Sequence, residues 1–144
     1  MLEKGSDILR RLLYSIPGDR QAVCAIAQVE FHSALARRHR RGEIGATEAQ
    51  LAEKSLLDKY SELIHWAVNE ALLQTAVELL KRHDLRSLDA LQLAAARLFS
   101  RYLLPGDRLL FIASDQRLLA AARSDGFTVW DPADPNSPTP PPVN

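Results

Sequence analysis

The sequence contains a single cysteine, Cys24, among its 144 residues. One cysteine excludes an intramolecular disulfide and a zinc site built from several cysteines. Its place in an apolar segment predicts an inert, buried thiol. No segment approaches the roughly 18 consecutive apolar residues that a membrane-spanning helix needs. The charges balance at 18 basic and 18 acidic residues, which excludes a strongly basic nucleic-acid binder but allows a local basic patch.

Several common enzyme motifs are also missing. The chain has no Gly-x-Gly-x-x-Gly loop, no phosphate-binding Lys loop and no Gly-x-Ser-x-Gly turn. Its four histidines lack metal-ligand spacing, and we interpret them as surface or packing residues. The charged start of the chain does not have the pattern of a signal peptide. We therefore expect a soluble, cytoplasmic protein with one domain over residues 1–131 and a mobile, proline-rich tail over 132–144.

Short apolar runs alternate with amphipathic segments along the chain. The runs predict strands at 22–27, 109–113 and 127–130, and at 63–68, where the same residues could instead extend a helix. The periodicity and capping residues predict helices that begin near Ser6, Gln28, Thr47, Glu70, Ser87 and Ser114. This alternation favours an α/β fold, with a mainly parallel sheet flanked by helices.

Three acids lie at predicted helix starts: Glu30, Asp89 and Asp115. Glu30 and Asp115 each follow an apolar strand, and functional groups gather at the carboxyl ends of parallel strands. Asp89 follows Ser87 and a helix, so strand order does not place it. Each acid alone is also explained by helix capping. The apolar surroundings of Glu30 call for a partner, and a hard divalent cation shared with other carboxylates would be one.

A basic run ends the predicted helix that carries Glu30. It contains Arg37, Arg38, Arg40 and Arg41. These side chains could contact phosphates, or they could be a solvated helix end where cations suit the dipole. Arg86, close to Asp89, could also contact a phosphate.

Three segments resemble the acid motifs of PIN-domain ribonucleases, particularly VapC-like toxins. Residues 28–38 resemble the second-acid helix, residues 85–96 the third-acid motif, and residues 111–122 the fourth-acid strand and helix. The likeness runs from about Glu3 to Pro132. The motif around Asp89 is fairly specific for the family. The presence of the three motifs in this order and spacing is strongly specific for it.

The resemblance implies a PIN-like α/β sandwich that holds Mg²⁺ or Mn²⁺ and cleaves RNA. Glu30, Asp89 and Asp115 would be the catalytic metal ligands, and Ser114 would support a bound water. The toxin members pair with a small VapB-like antitoxin and are commonly homodimers. The metal would activate a water and stabilise charge on the scissile phosphate.

The chain departs from this family at its beginning. The family starts with a central strand that ends in the first acid, whereas residues 1–7 resemble the loop and helix that follow it. We therefore expect the first strand and the first acid to be missing. Three explanations stay open: the start of the sequence is misplaced, the sheet closes up without this strand, or another chain supplies it. The alternative to a ribonuclease is a catalytically dead PIN-like module that binds an antitoxin or itself. A third hypothesis is a plain α/β scaffold whose acids only cap helices.

Overall fold

The computed structural model describes Arg11 and residues 13–17 and 20–136, within which helices and short strands alternate. Arg11 and residues 13–15 are helical. The remaining helices are α1 (Ile26–Arg40), α2 (Ala46–Tyr60), α3 (Glu70–Arg82), α4 (Ser87–Ser100) and α5 (Gln116–Ser124). The strands are β1 (Ala22–Cys24), β2 (Ile64–Trp66), β3 (Leu110–Ile112) and β4 (Thr128–Trp130). The predicted helix start at Ser6 and the tail from residue 137 lie outside the described residues.

The strands form two parallel pairs. β1 pairs with β2, with Cys24 opposite Trp66, and β3 pairs with β4, with Ile112 opposite Trp130. The expectation of an α/β fold with parallel strands is therefore confirmed, and the ambiguous segment 63–68 contains a strand. Among the described residues the pairs are separate sheets, and β1 is not bonded to β3. The PIN-like sandwich stays a prediction.

Helices α3, α4 and α5 supply most of the buried core. On α3, Leu72, Ala76 and Leu79 recur at helical spacing and are buried. The largest fully buried side chains are Leu72, Leu79, Leu93, Leu118 and Leu119. Cys24 of β1 and Phe111 of β3 join the same cluster, so both sheets rest on one core. None of the described helices is long and apolar enough to cross a membrane.

The predicted strand 22–27 is too long. Ala25 donates its backbone N–H to the Trp66 carbonyl (2.9 Å), but its backbone is already helical, at φ −56° and ψ −26°. Helix α1 then begins at Ile26, so Glu30 lies beyond the first turn where the pattern placed it. The predicted strands 109–113 and 127–130 are also too long, since β3 spans Leu110–Ile112 and β4 spans Thr128–Trp130.

The ends of the helices follow local rules more closely. Asn69 caps α3, as predicted, by accepting a hydrogen bond from the Leu72 N–H at 3.0 Å. Gly126 follows α5 with φ +93°, the left-handed conformation expected at a C′ glycine. The apolar residues from Leu88 to Tyr102 recur at helical spacing in the sequence, but Leu88 and Tyr102 are 44% and 74% exposed. Tyr102 lies beyond α4, which ends at Ser100.

Candidate functional site

The candidate site lies at the starts of α4 and α5. Arg86 precedes α4 with an extended backbone, and Asp89 lies in the first turn of that helix. Asp115 directly precedes α5, three residues after β3 ends. Short loops thus bring the two predicted acids Asp89 and Asp115 to neighbouring helix N-termini, where the partial positive charge of the helix favours carboxylates.

The guanidinium of Arg86 bridges the two acids. Its Nε donates to Asp89 Oδ2 at 3.3 Å, and its Nη2 donates to Asp115 Oδ2 at 3.4 Å. Asp89 is largely buried, with 16% of its side chain exposed, whereas Arg86 is 77% exposed. Water therefore weakens both ion pairs. The geometry shows that the two carboxylates share one cation.

Asp115 has a structural role at the same time. Its Oδ1 accepts the backbone N–H of Leu118 at 3.0 Å, which caps α5. The capping interpretation of Asp115 is therefore confirmed, and the second oxygen faces Arg86. The hydrogen bond described for the Asp89 carboxylate goes to Arg86 instead of to a helix N–H. One carboxylate of the pair is thus tied to the backbone, and the other is held by a side chain.

Glu30 adjoins this pair through an amide. Its Oε1 accepts a hydrogen bond from Gln92 Nε2 at 2.7 Å. Gln92 lies three residues after Asp89, and such residues are neighbours on one helix face. The structure therefore brings α1 and α4 together at Glu30 but binds this carboxylate to Gln92. Gln92 was not among the predicted site residues, although its spacing from Asp89 is a signal that points to the same face.

Two groups at the end of β1 have raised pKa values. Burial is the main cause that raises the pKa of the Cys24 thiol, and the charge of Glu30 raises it further. Cys24 is free and buried, as predicted for an inert thiol. Loss of hydration likewise raises the pKa of Tyr60, whose hydroxyl donates to the Ala25 carbonyl at 3.5 Å. Both groups therefore favour their neutral forms, Cys24 because of burial and the charge of Glu30, and Tyr60 because of burial and the charge of Cys24.

A further carboxylate, that of Asp131, contacts the first residue of α5. Asp131 is 7% exposed and follows β4, and its Oδ2 accepts a hydrogen bond from Gln116 Nε2 at 3.0 Å. Its Oδ1 accepts the Ala133 N–H at 2.9 Å. Gln116 is the first residue of α5, so these contacts fix the start of the helix that Asp115 caps. Asp131 was not among the predicted site residues.

The acids that the structure brings to Arg86 are two carboxylates, Asp89 and Asp115. Among the residues the structure describes, no group of three His, Cys, Asp or Glu side chains is placed to hold a metal ion. The expected metal-binding cluster of Glu30, Asp89 and Asp115 is therefore not found among the described residues, and Glu30 Oε1 accepts a hydrogen bond from Gln92. Asp89 and Asp115 already converge on one cation, and Mg²⁺ is usually held by one or two carboxylates with waters and phosphates. The carboxylate oxygens of these two residues are of the chemical type that such an ion takes.

The other predicted residues lie around or away from this pair. Ser114 is exposed in the loop between β3 and α5, next to Asp115. The arginines at the end of α1 are all exposed. Glu43 pairs with Arg38 at 3.3 Å and with Arg41 at 3.9 Å. Arg40 lies ten residues after Glu30 on α1, about 15 Å along the axis. The basic run is therefore a separate surface.

Comparison with known proteins yields no assignment. The chain matches no protein-family model and no curated protein.

Proposed function

We propose that this chain is a PIN-like endoribonuclease of the VapC toxin type, which uses a divalent cation to cleave RNA phosphodiester bonds. The observation that carries the proposal is the convergence of Asp89 and Asp115 on one guanidinium at 3.3 and 3.4 Å. Two carboxylates from separate sequence motifs thus reach a common cationic group.

The strand pairing also supports the proposal. β1 pairs with β2 and β3 with β4, and the expected first strand would lie between β1 and β3. The acids follow the carboxyl end of β3 or start a neighbouring helix, which is where open α/β sheets place their ligands.

Asp89 and Asp115 would hold Mg²⁺ or Mn²⁺. When bound, the cation supplies a water of lowered pKa and charge stabilisation for a phosphate. Asp115 is fixed by its cap to Leu118, so it orients that end of the site. Glu30 and Gln92 place a carboxylate and an amide about one helical turn from Asp89. There they can bind a water molecule or a ribose of an RNA strand. Arg86 neutralises the acids and would exchange one of them for an RNA phosphate.

The test is cleavage of a labelled single-stranded RNA with Mg²⁺ or Mn²⁺, and with EDTA. We expect cleavage by the wild-type chain that EDTA stops, and its loss in Asp89→Asn and Asp115→Asn. Asp84→Asn is the matched control, because Asp84 is 91% exposed and pairs with Arg117 alone at 3.7 Å among the described ion pairs. Cleavage that persists in Asp89→Asn, or that survives EDTA, would contradict the proposal.

One observation favours the alternative of a catalytically dead module that binds an antitoxin or itself. Helix α3 presents Leu73, Val77 and Leu80 to solvent, each at least 40% exposed and at helical spacing. Exposed apolar stripes of this kind are typical of interaction surfaces. The stripe would serve a homodimer or a VapB-like partner.

The alternative predicts association without cleavage. We expect Val77→Glu to shift a dimer to monomer in analytical ultracentrifugation, whereas Gln50→Glu, at an exposed position of α2, leaves it unchanged. A wild-type chain that is monomeric at all concentrations refutes self-association through this stripe, and metal-dependent turnover refutes the dead module.

A further inference from the structure

A cleft lies toward the end of α4 that is opposite to Asp89. Its volume is about 680 Å³, within the range of roughly 300–1,000 Å³ found for small-molecule sites. The last turn of α4, the loop before β3 and the loop before β4 line it. Arg97 of α4 lies eight residues after Asp89 and already lines the cleft, so the cleft begins roughly 12 Å from Asp89 along the helix axis. It is therefore a separate site from the acidic pair.

Three arginines line this cleft: Arg97, Arg101 and Arg108. Arg97 is oriented by the Asp125 carboxylate, at 3.8 Å from its Nε to Oδ2. Among the ion pairs of the described residues, neither Arg101 nor Arg108 has an acidic partner within 4.0 Å. Asp125 is the one acid in the lining. The cleft therefore carries an excess of positive charge.

The charge of Asp125 is already compensated inside the protein. Its side chain is 8% exposed, and Arg82 and His83 approach its Oδ1 at 3.7 and 4.0 Å. Arg97 Nη1 is buried and has no hydrogen-bond partner among the described residues. Asp125 thus serves to hold Arg97 in place, and it leaves the cationic wall of the cleft unneutralised.

The rest of the lining is partly apolar. Leu103, Leu109 and Phe127 are half-buried at the cleft. The Phe127 ring packs against Phe111, with centroids 6.2 Å apart, so the core fixes one wall. A lone phosphate is much smaller than this volume. Guanidinium groups bind phosphate through paired N–H donors, and an aromatic wall suits a flat ring beside it.

We propose that the cleft binds a small organic phosphate that carries an aromatic group, of the class of a nucleoside monophosphate. Arg101 and Arg108 bind the phosphate, and the wall at Phe127 packs against the ring. This proposal does not depend on the ribonuclease activity, because it concerns binding at the other end of α4.

The experiment is a titration of the wild-type chain with adenosine 5′-monophosphate, followed by amide NMR shifts and calorimetry. A salt concentration near 0.15 M limits nonspecific electrostatic attraction to a range of about 8 Å. EDTA removes divalent cations, so that an RNA ligand in the same assay is not cleaved. We expect saturable shifts at Arg101, Arg108 and Thr128, competition by inorganic phosphate, and weaker binding of adenosine. Arg101→Gln and Arg108→Gln each weaken binding by about tenfold, because each removes a charge-assisted contact.

Arg117→Gln is the matched control. It removes the same charge at a 71% exposed side chain outside the cleft, and we expect it to bind like the wild type. The proposal is overturned if the monophosphate does not saturate, or if Arg117→Gln weakens binding as much as the cleft variants. It is also overturned if a uridine oligonucleotide shifts the cleft amides while the monophosphate does not, since the cleft would then bind an RNA backbone.

Discussion

Replacement of Arg86 by glutamine tests whether Asp89 and Asp115 form one cation site. The substitution removes the guanidinium that donates to both acids at 3.3 and 3.4 Å. Because Arg86 is 77% exposed, each pair contributes about 0.2–1 kcal/mol. We therefore expect Arg86→Gln to lower the free energy of unfolding at neutral pH by about 0.4–2 kcal/mol in low salt, as measured by urea denaturation.

The same variant should bind Mg²⁺ more tightly. In the wild-type chain the cation competes with Arg86 for the two carboxylates, and the competition ends when the guanidinium is gone. The lost pairing energy corresponds to a decrease in Kd of about 2- to 30-fold. Calorimetry measures this directly. Added Mg²⁺ should also stabilise Arg86→Gln more than the wild type against urea, because a ligand that binds the folded state raises its stability.

Two controls separate this effect from a general loss of charge. Arg86→Lys keeps the charge and should retain most of the wild-type response to Mg²⁺. Arg117→Gln removes an arginine whose described ion pair is with exposed Asp84, and its Mg²⁺ response should equal that of the wild type. If Arg86→Gln is as stable as the wild type and gains nothing from Mg²⁺, the two acids do not form a shared cation site.

Three further predictions concern stability. Leu79→Ala should lower the free energy of unfolding by about 2–5 kcal/mol in urea denaturation, because Leu79 is fully buried. Leu80→Ala should lower it much less in the same assay, because Leu80 is 40% exposed. Asn69→Ala should cost about 0.5–2 kcal/mol by removing the cap of α3, and Asn69→Asp should restore it. Burial raises the pKa of the Cys24 thiol above 9.0, so the folded state holds this proton more tightly and stability falls as the pH rises past that value. The stability difference between wild type and Cys24→Ala should therefore change between about pH 8 and about pH 10, and a constant difference would contradict this.

Local signals predicted much of the fold. The cap at Asn69 and the left-handed turn at Gly126 follow from one or two residues, since the groups they satisfy are a few positions away. The failures came where local signals compete. The apolar run from Ala22 predicted a strand through residue 27, but an apolar run alone does not separate a buried strand from a helix. In the structure, β1 pairs with β2 as far as Cys24, and helix α1 begins two residues later at Ile26.

The site was predicted less completely than the fold. The acids Asp89 and Asp115 do share an ion-pair partner, but this partner, Arg86, lies 29 residues from Asp115. Glu30 finds Gln92 across 62 residues. Contacts of this length depend on how α4 packs against α1 and α5, and neither periodicity nor capping rules contain that information. The expectation that all three acids would gather failed for this reason.

The position of Arg86 links the two leading hypotheses. A guanidinium that spans two carboxylates compensates their charge when no metal is present, so the pair does not require a cation to be stable at the surface. If RNA supplies a phosphate, Arg86 has a stronger anionic partner, and the carboxylates are released toward a divalent ion. If no such exchange occurs, the bridge stays closed and the fold offers only its surfaces for binding. The strength of this bridge therefore separates a ribonuclease from a binding module, and the response of Arg86→Gln to Mg²⁺ measures it.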